Sequence, residues 1–68
     1  MSATYKSIEL VGTSAESYAE ATRSAIRRAS KTMRGLKWFE VSEMRGHISD
    51  DDVDLFQVKL TAWFELED

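Results

Sequence analysis

The chain has 68 residues, with 9 basic and 12 acidic side chains for a net charge of -3, no cysteine, no proline and one histidine. These figures exclude disulfide staples, thiolate or multi-histidine metal centres, and the basic surplus that draws a protein to a nucleic-acid backbone or an anionic membrane. They allow one domain, residues 1–68, with a marginal core, because so short a chain buries only about 60% of its unfolded surface; self-association is the readiest added source of stability.

No apolar run approaches the ~20 residues of a membrane span. The N-terminal MSATYKS lacks the basic-then-apolar order of a secretion signal. The expectation is a cytoplasmic protein that engages neither membrane nor nucleic acid. The 3 glycines stand singly, so no flexible linker divides the chain.

Thr4 to Val11 alternates, with Ile8 and Leu10 on one face and Tyr5, Ser7, Glu9 and Val11 on the other, which predicts a first strand. Gly12-Thr13-Ser14 breaks that pattern. Thr13 with Glu16, or Ser14 alone, supplies a hydroxyl able to cap a helix start. From Ala15 to Met33, Tyr18, Ala21, Ala25, Ile26, Ala29 and Met33 recur at helical spacing, and the alanines of that stripe permit close approach to a sheet. Glu20, Arg23, Arg27, Arg28 and Lys31 occupy the opposite face and read as a solvated surface. Gly35 is the expected stop.

Leu36 to Ile48 predicts the second strand. Strict alternation puts Phe39 and Val41 on one face, and Trp38, Glu40, Ser42 and Met44 on the other. Ser49-Asp50-Asp51-Asp52 reads as a turn; its adjacent carboxylates lack the ligand spacing and glycine of a calcium loop, so no metal site is expected. Val53 to Leu66 alternates most clearly of all. Phe56, Val58, Leu60, Ala62, Phe64 and Leu66 share one face, and Leu55, Gln57, Lys59, Thr61, Trp63 and Glu65 share the other.

The order is β-α-β-β, an α+β protomer whose last two strands form a hairpin. A strand of about fourteen residues spans ~46 Å, whereas the helix spans only about 30 Å. One helix cannot cover such strands, and Val11, Trp38, Leu55 and Trp63 lie on a face with no covering element. The monomer is incomplete, and a closed oligomer is expected.

Catalytic material is sparse. One histidine and scattered serines form no triad. Alternation places Glu40 and Glu43 on opposite faces, so they form no acid/base pair. The isolated glycines cradle no phosphate. The chain reads as a binding protein and not an enzyme. Trp38 offers a ring on a face that strands normally give to polar residues, suited to stacking on a planar ligand or to anchoring an interface. Gln57 faces the same way in the adjacent strand, and its amide donates and accepts at once, which suits an imide or pteridine-like edge.

These residues carry a resemblance to the dodecins, small flavin-binding proteins. It runs through IELVGTS (Ile8 to Ser14), RASKTMRGLKWFEVSEMRGHI (Arg28 to Ile48), FQVKL and the FELED tail. The resemblance implies a three-stranded antiparallel sheet wrapped around one helix, assembled as a hollow dodecamer of cubic symmetry. It implies flavin (riboflavin, FMN or FAD) bound in pairs at two-fold interfaces. Trp38 would sandwich the isoalloxazine, Gln57 would hydrogen-bond its pyrimidine edge, and Arg45 and His47 would stand near the ligand, the arginine as a phosphate contact. Arg45 and His47 differ in strand parity from Trp38, so a bulge or a neighbouring subunit is required to bring them to that site. The resemblance leaves coenzyme A open as a ligand at other interfaces.

Three positions of the last strand depart from the family. Its usual valine-glycine-phenylalanine-arginine is Ala62-Trp63-Phe64-Glu65 here. Trp63 lies about 20 Å along the strand from Gln57, so the two do not wall one pocket within a chain. Glu65 replaces a cation with an anion. The function expected is flavin storage and buffering with quenching of flavin photochemistry. The alternative is an oligomeric scaffold in which Trp38 is only an interface anchor. A flavoenzyme ranks third, because a ring pinned between two tryptophans leaves little room for a substrate.

Overall fold

A computed structural model describes residues 2–67. It contains β1 (Tyr5–Ser14), α1 (Tyr18–Ser30), β2 (Leu36–Ser49) and β3 (Asp52–Glu65). Both strand pairs are antiparallel, and the sheet order is β1-β3-β2. The β-α-β-β reading holds, and the strand with the cleanest alternation is the central one. That follows physically: only a central strand has neighbours on both sides to bury one whole face.

The helix starts later than expected. Its cap is Ser17, whose side chain accepts from the Glu20 backbone N–H at 3.0 Å. Thr13 and Glu16 offer the same Ser/Thr-x-x-Glu spacing one turn earlier. They cannot use it, because Thr13 and Ser14 are held in β1 opposite Gln57 and Phe56. Strand pairing overrides the local capping signal. Ser14 instead accepts from the Glu16 N–H at 2.9 Å in the connecting turn.

Gly12 does not break β1; it lies within the strand, opposite Val58, at the closest approach of helix to sheet. A Cβ there would overlap the Ala21 carbonyl oxygen and come within 2.9 Å of Ala25 Cβ. At the other end the helix stops at Ser30 with Lys31 as its cap, and the N–H groups of Thr32 and Met33 tighten onto the Ala29 carbonyl at 3.1 and 2.9 Å. Gly35 is therefore not the helix stop. At φ 78° it turns the chain into β2, where its carbonyl accepts from the Glu65 N–H at 3.1 Å.

The core lies between α1 and the central strand: Ala21 and Ala25 pack with Val58, Leu60 and Ala62, flanked by Ile8, Leu10, Tyr18, Ile26 and Leu36. Glu20 pairs with Arg23 at 3.1 Å and with Arg27 at 3.6 Å, all exposed, so the basic helix face is solvated. A 13-residue helix is about 20 Å long, shorter than the sequence suggests, while the molecule is 54 Å in its longest dimension. The helix packs mainly on β1 and β3. Phe39, Val41, Met44 and Ile48 of β2 are consequently exposed on the helix side of the sheet.

The hairpin closes through Asp50 and Asp51, with φ 51° and 63°, between the paired residues Ser49 and Asp52. Two consecutive left-handed residues match the type I′ turn favoured in two-residue hairpins. Aspartate tolerates that region better than most side chains.

Candidate functional site

The face of the sheet away from the helix carries the candidate residues, and bulges decide which ones reach it. On β3 alternation is regular from Leu55 to Glu65, placing Gln57, Lys59, Thr61 and Trp63 on this outer face. Between Val41 and Glu43 the register of β2 slips by one, leaving Ser42 extra. Trp38 pairs with Trp63 and Glu40 with Thr61 before the slip; Glu43 pairs with Lys59, Arg45 with Gln57 and His47 with Leu55 after it. The bulge brings Arg45 and His47 to the face of Trp38, as the parity argument required.

The same slip corrects two expectations. Met44 pairs with Val58 and so lies on the helix side, not beside Trp38. Glu40 and Glu43 share the outer face instead of opposing each other. Ser42 also compensates the irregular ladder, since its hydroxyl donates to the Lys59 carbonyl at 3.1 Å. A second slip, between His47 and Ile48, leaves Asp54 extra on β3 and restores the register before the turn.

One end of this face is aromatic. Trp38 and Trp63 stack with centroids 5.8 Å apart and planes at 16°. Tyr5 reaches across β3 and meets Trp38 edge-on at 4.8 Å and 62°. The Trp63 indole N–H donates to Glu40 Oε1 at 2.9 Å. Even so, Trp38 is 45% exposed, a large area for an indole to leave in water.

The other end is polar. Arg45 Nε donates to Gln57 Oε1 at 3.1 Å, and its terminal nitrogen reaches Glu43 at 3.2 Å. Arg45 thereby orients the Gln57 carbonyl and leaves the amide N–H groups free to point elsewhere. His47 Nδ1 lies 2.8 Å from Asp54 Oδ1, so the second bulge supplies its partner. Between the two ends, Lys59 bridges Glu43 at 3.5 Å and Glu9 at 3.7 Å.

Arg45, Gln57 and His47 are thus brought together, whereas Trp38 is not brought to them. Trp38 stands opposite Trp63, six residues from Gln57 along β3, or about 20 Å. Trp38 and Gln57 share a face without sharing a neighbourhood. Sequence reasoning placed Glu40 on the face of Trp38, but it did not foresee Tyr5 beside that ring, nor Trp63 as its stacking partner and the donor to Glu40. A signal existed for Trp63: counting back symmetrically from the turn sets it opposite Trp38, because the bulges at Ser42 and Asp54 offset each other. Among the described residues, no three His, Cys, Asp or Glu side chains gather in a way that could hold a metal ion. No helix among them is long and apolar enough to cross a membrane.

Comparison with known proteins agrees with this architecture. The family model described as Dodecin matches residues 4–67. A dodecin of Thermus thermophilus is 48% identical over 68 residues, covering 100% of this chain and 99% of the relative. Among solved structures, the dodecin from Streptomyces davaonensis superposes with a TM-score of 0.96 at 40% identity over the whole of both chains. A Mycobacterium tuberculosis protein described as a calcium dodecin with a novel calcium-binding site superposes at 0.82 with 25% identity, over 94% of this chain and 91% of that one. A full-length match in sequence, together with the same topology over the same length, means that this chain belongs to the dodecin family.

Proposed function

We propose that this protein stores and buffers flavin, holding FMN, riboflavin or FAD between tryptophans at the interfaces of a homododecamer and quenching its photochemistry. One observation carries the reading. Trp38 and the Arg45–Gln57 pair lie on one outer face, half-exposed or exposed, yet about 20 Å apart. A planar ligand that touches both must take them from two chains, so the site is completed by assembly.

The residues fit such a ligand. Trp38 presents a half-exposed indole for stacking. Gln57 presents an amide, already oriented by Arg45, to an edge that has both acceptors and a donor. Arg45 has further guanidinium N–H groups for a phosphate, and His47 lies two residue pairs further along. A bound flavin supplies a planar, photo-oxidising ring, and indole is a good electron donor on contact. Membership of a family of small binding proteins supports a non-enzymatic role. The scaffold alternative makes Trp38 an interface anchor and assigns no task to the oriented amide of Gln57.

Assembly is the first expected result. Exposed Phe39, Val41, Met44 and Ile48 on one side of β2, with Val11 and Trp38 on the other side of the sheet, predict a large closed oligomer. Sedimentation at micromolar concentration should show no folded monomer; a stable monomer would refute the oligomeric site.

The selectivity of Gln57 tests the ligand assignment. Stacking accepts many planar molecules, whereas the pyrimidine edge of a flavin needs a donor and an acceptor together. Gln57→Leu removes both and leaves polar ligand atoms unpaired, at a cost of about 1–3 kcal/mol. Fluorescence titration should show flavin binding weakened roughly ten- to a hundredfold, with the oligomer intact. An aromatic ligand lacking that edge should change far less. Equal losses for both ligands would reduce Gln57 to a shape-filling role.

A further inference from the structure

Trp63 is one of only 2 tryptophans in the chain, and its indole is engaged on two sides. One face stacks on Trp38, with centroids 5.8 Å apart and planes 16° from parallel. Its N–H donates to Glu40 Oε1 at 2.9 Å. Trp63 sits half-buried on the central strand, whereas Trp38 sits exposed on an edge strand. The groups therefore form a series: exposed Trp38, half-buried Trp63, and a carboxylate on the Trp63 nitrogen.

A carboxylate hydrogen-bonded to an indole N–H makes that indole easier to oxidise. It places negative charge beside the positive charge that appears, and it can accept the N–H proton, which becomes acidic once an electron has gone. Among the described residues, Glu40 serves Trp63 in this way and no carboxylate serves Trp38. The two rings are chemically identical, so their surroundings set the order: Trp63 yields an electron more readily. Their near-parallel contact gives the orbital overlap for fast transfer between them.

We propose that Trp63 is the terminal electron donor of a two-indole relay that resupplies Trp38 whenever a one-electron oxidant draws on it. The inference rests on the reading of Trp38 as the ring in contact with a photo-oxidising ligand. One electron leaves Trp38 for the oxidant. One electron then passes from Trp63 to Trp38 and restores it, while the Trp63 N–H proton shifts to Glu40 Oε1. When the oxidant gives its electron back, that electron fills the vacancy on Trp63 and the proton returns to nitrogen. Nothing is consumed, and the electron vacancy rests on the less exposed ring, away from the ligand and from dissolved oxygen.

The test needs no flavin. Azide radicals made by pulse radiolysis take one electron from tryptophan, and the protonated and deprotonated indole radicals differ in their visible spectra. The parent oligomer should behave like Trp38→Phe, in which Trp63 is the sole indole, and lose the radical's N–H proton promptly. Trp63→Phe, with Trp38 alone, should keep the protonated radical about tenfold longer, equivalent to ~1.4 kcal/mol in barrier. Glu40→Gln keeps the shape and a hydrogen bond but removes the charge, and it should move the parent toward the Trp63→Phe behaviour whether or not the phenylalanine variants assemble. A parent that decays like Trp63→Phe, or that is indifferent to Glu40→Gln, overturns the relay. Loss of flavin binding in the titrations above would instead overturn the flavin reading and leave the radical result standing, so the two failures are distinguishable.

Discussion

Gly12→Ala is expected to remove most or all of the folded protein. On propensity alone the change should help, since glycine inside a strand is roughly 0.5–1 kcal/mol less favourable than alanine. Packing reverses the sign. The added methyl would overlap the backbone carbonyl oxygen of Ala21 and crowd Ala25 Cβ at 2.9 Å. No rotamer change relieves a clash with backbone, so the helix must lift off the sheet. Lifting it uncovers the core of Ala21, Ala25, Val58, Leu60 and Ala62. Overpacking typically costs about 1–3 kcal/mol and occasionally more; a backbone clash at the centre of this core belongs at or above that upper end. That is a large share of the ~5–15 kcal/mol that stabilises a typical domain. Thermal melts by circular dichroism, with the exposed neighbour Thr13→Ala as control, check this. A Gly12→Ala melt within a few degrees of the control would mean that the helix is free to move away.

Trp38→Ala is expected to abolish flavin quenching and to weaken flavin binding more than any other single change on the outer face. The indole is 45% exposed in the isolated chain, so truncation leaves little cavity inside the protomer and its cost falls on whatever covers the ring. Aromatic anchors at the centre of an interface lose about 2–4 kcal/mol on truncation, or roughly thirty- to a thousandfold in affinity. Quenching should fall further still, because it requires ring contact and no other exposed aromatic on this face replaces it; Tyr5 meets Trp38 edge-on and is a poorer donor. Sedimentation run beside the fluorescence titration separates the two readings. An intact oligomer that no longer quenches supports the ligand site. An intact oligomer that quenches as well as the parent makes Trp38 an interface residue. Collapse of the oligomer itself favours the scaffold reading.

The element order, the α+β class, the buried face of β3 and the packed face of α1 were all legible in the residues alone. Each follows from short-range periodicity: Val58, Leu60 and Ala62 repeat every second residue, and Ala21, Ala25 and Ala29 every fourth. That the protomer is too thinly covered was legible as well, since helix and strand rises are known in advance.

Other features depend on contacts between distant segments, which a local pattern does not carry. The helix begins at Ser17 because β3 holds Thr13 and Ser14 in the sheet, where their capping potential goes unused. Gly12 is a packing residue because Ala21 happens to pass over it. Above all, the composition of the outer face turns on a bulge at Ser42. Alternation alone places Met44 beside Trp38 and hides Arg45 and His47; one extra residue exchanges those faces and sets Arg45 against Gln57. A side-chain period of two propagates a single slip to every residue beyond it, and whether a strand slips depends on the partner it pairs with and not on its own pattern.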